Sequence, residues 1–552
     1  MTISFTSPGP GQWALDRSHF PGGATPLAQW LMEQSAPAAL RRVFAEVGVP
    51  AETLDVRFVN GFMYSRLRPL IAPDKPAKRL PPRPVLKLAG RLHPAFRRAS
   101  RAAERSLRER PWRGVIERWN STLMPELRDK NLALQSVELG SLDDSALAAH
   151  VHLLVSHVRS TYELHFWLHG YDLGPIGMML ADCQRWGIDA LDVVPTLGGA
   201  SPSTIEPIKQ LAAMRSKVEA AGAHPCTLDE LRLLVPEIDD YLETRRSMMV
   251  SRYDLDGRTL GEMPDVIVAS VMTAEVRPPV STDDLVRSIR ARVPAAEQAG
   301  FDERFTEARA AMDLRDANGP MTAEWPVGLV RLAVLHAGAR LVAAGRVNQA
   351  EHLFELEPSE FAPLIAHHEG PSVEELVARA HRRVELGSLT PPLLLGDHEP
   401  APSLDVLPPS LARMVGAVQT VMQLLGMAGA EPAGGDGLAG HGIGTGRVSG
   451  RACKALSADE ALGLMEPGDI LVVPFTTPAY NMVLALAGGV ITSEGGPLCH
   501  AAVLARELGI PAVVGASEAL SSINHGDTVE VDADGGRVSV LLRRDWNIGY
   551  GA

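Results

Sequence analysis

The stretch that most limits how this chain can fold is AEPAGGDGLAGHGIGTG, residues 430–446. Seven of its seventeen residues are glycine and few of the others are apolar, so it reads as a flexible linker or hinge. The pattern of the chain changes across it. From about residue 96 to 428 apolar residues recur at helical spacing, as in SPSTIEPIKQLAAMRSKVEAAG (201–222), SVEELVARAHRRVELG (372–387) and LARMVGAVQTVMQLLGMAG (411–429). After it come short β-branched runs with helical stretches between them: DILVVPF (469–475), GGVIT (488–492), IPAVVG (510–515), DTVEVDA (527–533) and GRVSVLL (536–542). The expectation is a multidomain protein. It has a large mainly α-helical domain over 1–429, a glycine-rich hinge over 430–446, and a small α/β domain over 447–552.

Within the first part, VRFVNGFMYSRL (56–67) alternates as a strand or hairpin edge does. Prolines at 73, 76, 81, 82, 84 and 94 predict an irregular connector over 73–95. The run from Ser141 opens on acidic residues suited to a helix N-terminus and is expected to end at Gly170. A formal net charge of −13 argues against a general nucleic-acid binder. Thirteen Lys or Arg between Lys75 and Arg113 run against that balance; they read as a solvated helix face and loop, or as a patch for an anionic partner. Cys183, Cys226, Cys453 and Cys499 are far apart and lack zinc-ligand spacing. With no signal-peptide pattern at the start and no long apolar run, a cytoplasmic chain without a membrane partner is expected.

GGPLCHAAVLARELGIPAVVG, residues 495–515, places His500 at the mouth of an apolar helix closed by Gly509 and Pro511. A histidine there can cap the helix, ligate a metal or do chemistry. Helix N-termini favour anions, and Gly495 and Gly496 let a bulky partner approach the backbone. A neutral imidazole is a nucleophile, so a phosphoryl carrier fits this position as well as a cap does.

The segment resembles the phosphohistidine signature of the phosphoenolpyruvate-utilising enzymes, among them phosphoenolpyruvate synthase, pyruvate phosphate dikinase, rifampin phosphotransferase and phenylphosphate synthase. The match runs through Thr492, Gly495, Gly496, Cys499-His500-Ala501-Ala502, Ala505-Arg506-Glu507 and Gly509 to Gly515. Cys499 before the histidine is similar to the synthase branch. GTGRVSGRA (444–452) and EPGDILVVPFTTPAY (466–480) resemble the opening of the same swivelling domain. GRVNQAEHLFELEPSEFAPLI (345–365), TPPLLLGD (390–397), QWALDRSHFPGGATPL (12–27) and VNGFMYSRL (59–67) resemble segments of enzymes of the rifampin phosphotransferase type. The resemblance implies that His500 carries a phosphoryl group between two sites. It places Thr492 and Cys499 beside the imidazole and gives Arg506 the place of a family arginine. Cys499 can equally be apolar packing, and Arg506 a helix anchor.

No segment reads as the family's ATP-grasp domain, and no pyruvate-binding barrel follows the swivelling domain before residue 552. GIGTG (442–446) mimics a nucleotide fingerprint but lacks a preceding strand. The expected function is therefore the phosphohistidine-carrying subunit of a split dikinase-type phosphotransferase. ATP and Mg²⁺ would sit on a separate ATP-grasp partner, and the acceptor would be a phenol, alcohol or antibiotic hydroxyl. The alternatives are a phosphoenolpyruvate synthase-like protein, or a phosphocarrier or regulatory protein without its own small-molecule turnover. For the acceptor site, His150, His157, His165 and His169 share one helix face. His165 and His169 are the candidates for a base, or with Glu163 for metal ligands, against a stripe of hydrogen-bonded core histidines; no resident metal is expected. Phe166, Trp167, Met178 and Met179 are candidate pocket linings or simply core.

Overall fold

The computed structural model describes residues 3–16, 19–20, 22–75, 78–274, 282–426, 438–476 and 480–544. It is a mainly helical structure followed by a C-terminal α/β domain. Two compact units form by contact: Met1–Pro175 with Ser247–Arg258 and Asn318–Ala417, and Ile176–Arg246 with Thr259–Ala317 and Val418–Ala552. The composition break at 430–446 marks a change in secondary structure, whereas these units follow contacts and divide the chain elsewhere. Residues 430–437 of that stretch lie outside the described residues, and 441–443 form a strand.

In the first unit a four-stranded sheet has the order β2-β3-β1-β4, from β1 (Trp13–Leu15), β2 (Ala51–Val59), β3 (Phe62–Pro69) and β4 (Leu394–Leu395). The hairpin turn between β2 and β3 is Asn60-Gly61, both at positive φ (52° and 82°), as a tight type I′ turn requires. The expected connector over 73–95 is largely helical: helices Arg83–Leu92 and Pro94–Glu109 follow one another directly. Pro82, Pro84 and Pro94 sit at helix caps and first turns, where a missing N–H costs nothing, so they start helices rather than break them. The helix expected to stop at Gly170 runs unbroken over Asp144–Arg185. A Cβ on Gly170 would stand 2.0 Å from Val43 Cγ2, so this glycine is a close-packing position and not a stop.

A long helical stretch joins Gln298–Gly319, a π turn at Pro320–Glu324, and Trp325–Ala343. Pro320 cannot donate to the preceding turn, and the ladder widens there. This is the one stretch among the described residues long and apolar enough to span a membrane, and 61% of its apolar window is buried in the protein, as in a core helix.

The second unit contains a seven-stranded sheet of order β11-β10-β6-β7-β8-β9-β5. Its strands are β5 (His441–Ile443), β6 (Arg447–Lys454), β7 (Ile470–Val473), β8 (Gly489–Thr492), β9 (Ala512–Val514), β10 (Thr528–Asp532) and β11 (Arg537–Leu542). β6 through β9 are parallel, which is why β7 to β9 are buried on both faces and read as unbroken apolar runs. Five strands match the β-branched runs; β5 and β6 do not announce themselves, because glycines and charges interrupt them.

Candidate active site around His500

β8 delivers the chain to the site. Thr492, fully buried at its end, donates its hydroxyl to the Glu494 carbonyl (2.6 Å) and closes the turn. Gly495 follows at φ 103°, where a Cβ would lie 2.9 Å from Cys499 Sγ. A Cβ on Gly496 would lie 2.5 Å from the Leu424 carbonyl oxygen, which also accepts the Leu498 N–H (2.9 Å). Both glycines thus have a packing reason: segment 424–426 lies against the turn.

Cys499 is the N-cap, and His500 opens the helix His500–Leu508. Val503 is the first amide of that helix to reach a helical carbonyl, that of Cys499. The imidazole is half-buried, and Nδ1 lies 2.9 Å from Thr476 Oγ1, just beyond β7. Burial first, then the Arg315 guanidinium, push His500 down to about 3, so the ring is neutral at neutral pH. In the tautomer that donates Nδ1–H to Thr476, the lone pair is on Nε2.

Arg315 comes from the helix Gln298–Gly319. Its Nη2 donates to the Leu498 carbonyl at 3.3 Å, while Nη1 is buried with no hydrogen-bond partner. A buried charged donor without a partner is rare and costly, and calls for a function. Neighbours on the same helix fix its position. Asp313 and Asp316 accept from Ser203 and Ser201 (2.7 and 2.5 Å), and Arg309 binds the carbonyls of Thr196, Gly198 and Gly199.

Arg506 donates through Nη2 to the Pro497 carbonyl (2.6 Å), tying the helix to the glycine turn. Burial lowers it to about 10, which leaves it cationic at neutral pH. Glu507 accepts the Gly199 N–H at 2.8 Å. The Cys499 thiol is pushed up by burial, against the opposing pull of the Ala502 and Ala501 amides and of Arg506 and Arg315, so it stays a thiol.

The residues singled out in the sequence therefore gather in one turn and helix. Thr492 engages a backbone carbonyl rather than the ring. Pattern reading missed the two residues that govern the imidazole. Thr476 lies within 466–480 and carried a weak signal there. Arg315 carried none, because only the packed helix brings it near.

On the helix Asp144–Arg185 the four histidines divide. His157 bonds Asn131 Oδ1 (2.7 Å) and is pushed down to about 4 by burial and by Lys130; His150 is buried and lowered by burial. His165 and His169 meet, Nε2 to Nε2, at 3.2 Å. Glu163 pairs with Arg159 at 3.5 Å instead of joining them. Among the described residues no group of three or more His, Cys, Asp or Glu is placed to hold a metal ion. Met178 and Met179 are core side chains, each 1% exposed, and the Trp167 N–H donates to Glu46 (2.8 Å).

Residues 465–536 match the family model of the PEP-utilising enzyme mobile domain. The α/β domain that bears His500 is thus a mobile domain of the phosphoenolpyruvate-utilising class. The chain is similar to parts of several longer proteins. Rifampicin phosphotransferase of Streptomyces sviceus is 40% identical over 19% of this chain and 12% of its own length. Phosphoenolpyruvate synthase of Aeropyrum pernix is 45% identical over 17% of this chain and 11% of its own. A longer match, 25% identical, covers 96% of this chain but only 14% of chondramide synthase from Chondromyces crocatus. The chain thus spans a small part of each of these proteins.

Proposed function

We propose that this chain is the phosphohistidine-carrying part of a dikinase-type phosphotransferase. His500 receives a phosphoryl group from ATP held with Mg²⁺ by a separate ATP-grasp partner, and passes it to an organic hydroxyl. The observation that carries this reading is the neutral His500 at a helix N-terminus beside the unpartnered Nη1 of Arg315. Attack by Nε2 forms the N–P bond as the P–O bond to the donor breaks, its electron pair leaving on the departing phosphate oxygen, and the ring takes up positive charge. Thr476 keeps the Nδ1 proton in place, so that on transfer the N–P electron pair returns to Nε2 and a neutral imidazole leaves. Arg315 Nη1 supplies a donor to the phosphoryl oxygens, and the helix N-terminus adds its dipole. Thr492, Gly495, Gly496, Cys499 and Arg506 shape the turn that presents the ring.

The test uses ³²P-phosphoramidate, a small donor that phosphorylates histidine without the partner. The wild type is expected to gain acid-labile, base-stable label and His500→Ala to gain none; equal labelling of the two overturns the reading. Label that reaches no hydroxyl acceptor would favour a phosphocarrier over a transferase.

A further inference from the structure

We propose that His165 and His169 form a proton-sharing dyad, set by Thr322 on one side and Asp172 on the other, that acts as an acid–base site for a hydroxyl on an apolar body. The hydrogen-bond inventory fixes the protons. Thr322 Oγ1 has two acceptors on Asn318, the backbone carbonyl at 2.5 Å and the side-chain Oδ1 at 2.9 Å, and donating its only proton to that residue uses the shorter contact. Thr322 can then only accept from His165 Nδ1, 2.9 Å away. His165 therefore carries its proton on Nδ1 and presents a lone pair at Nε2. Asp172, fully buried, takes the Nδ1–H of His169 at 2.7 Å, so His169 too has Nε2 facing inward.

Two facing lone pairs at 3.2 Å repel, and one proton between them turns the repulsion into a hydrogen bond. The resulting cation is balanced by Asp172, whose Oδ1 is buried with no other hydrogen-bond partner. A second proton is refused: burial, and then charge on His169 and His19, hold His165 well below its ordinary range. A proton shared between the two Nε2 atoms is therefore not joined by a second one on His165.

Two features make this a place for chemistry rather than a packed polar stripe. Thr322 sits in the π turn Pro320–Glu324, a costly irregularity in an otherwise regular helix. Second, the Tyr162 ring, which lines a water-sized apolar cleft with Leu27, Leu31 and Val158, has its centroid 6.2 Å from that of His165; neither histidine lines that cleft. Asp172 and His19, with its partner Asp16, act on the dyad, and Asp254 and Glu324 act on Tyr162 beside it.

As a catalytic site the dyad rests on the phosphotransfer proposed above. The acceptor O–H breaks and its proton goes to the Nε2 pair. The O–P bond forms as the N–P bond of phospho-His500 breaks, and its electron pair returns to Nε2 of His500. Asp172 is a positioning residue that raises the dyad's affinity for that proton.

The first experiment needs no phosphate. Long-range ¹H–¹⁵N spectra of histidine-labelled full chain, assigned with His165→Gln and His169→Gln, are expected to show His165 as the Nδ1–H tautomer and one shared titration step. In Asp172→Asn that step moves to lower pH by about one unit or more. An Nε2–H tautomer for His165, or an unmoved step, overturns the dyad. The second experiment charges the chain with phosphoramidate and follows phenol-dependent loss of label against pH. Loss is expected to fall at least tenfold in His165→Gln and His169→Gln with His500 labelling unchanged, and in Asp172→Asn its acid limb shifts down with the titration step. No phenol-dependent loss in the wild type, or loss unchanged in the variants, overturns the acid–base role even where the dyad is seen. Failure of His500 to take label at all overturns the phosphotransfer reading instead and leaves the spectra to decide the dyad.

Discussion

Replacing Arg315 by Met separates a catalytic charge from a structural one. The substitution deletes the Nη2 bond to the Leu498 carbonyl, worth about 1.5–3 kcal/mol for a charged donor, and also deletes the buried orphan Nη1, which costs about 1–3 kcal/mol to keep. The two nearly cancel, and Met fills the space of the aliphatic stem. Urea unfolding is therefore expected to stay within about 1 kcal/mol of wild type. The charging reaction has no such cancellation. A preorganised donor facing the incoming phosphoryl oxygens contributes about 10²–10³ in rate, or about 2.7–4 kcal/mol, and Met supplies none of it. Phosphoramidate labelling of His500 is thus expected to slow by about two orders of magnitude, with Arg315→Lys recovering part of it through charge without the forked geometry. Labelling of Arg315→Met within threefold of wild type would refute the argument. So would a loss of several kcal/mol in stability, which would make Arg315 a structural strut.

Two further outcomes follow from the same geometry. Thr476→Val keeps the shape but removes the acceptor at His500 Nδ1; labelling is expected to fall about tenfold with little change in unfolding midpoint, and unchanged labelling would remove Thr476 from the mechanism. Glu324, buried and pushed up to about 8 by burial, stays protonated in the folded chain while the unfolded chain ionises near 4.5. Its stability contribution is present at low pH and is lost as pH rises from about 4.5 to 8, at up to about 1.4 kcal/mol per unit. Glu324→Gln is expected to flatten that slope in urea unfolding at pH 5 against pH 8, and an unchanged slope sinks the assignment.

How much of this was legible in the sequence depended on whether the relevant physics is local. β7 to β11 announced themselves because a buried strand must be apolar and β-branched, and glycine, proline or aspartate marks its ends. The helix cap at Ser372 is local too. Two local signals misled. Pro82, Pro84 and Pro94 look like breakers until the register shows them at first turns. Gly170 looks like a stop until Val43, from another helix, is found against it. Both signals were ambiguous in one dimension, and packing decided them.

The same division runs through the two candidate sites. The signature at 492–515 encodes the proposed nucleophile and the turn that presents it, because strand end, glycine pair, cap and helix are consecutive. It does not encode the ring's protonation or the charge opposite it. Those come from Thr476 and Arg315, which fold topology alone places. At His165 and His169 the i, i+4 spacing predicts proximity, but spacing alone allows a metal pair, a stacked pair or a proton-sharing pair. Thr322 carries the proposed choice among them: its single hydroxyl proton faces two acceptors on Asn318, which leaves its oxygen to accept from His165 Nδ1. In both sites a threonine hydroxyl meets a histidine Nδ1 at 2.9 Å, which leaves Nε2 for the chemistry proposed.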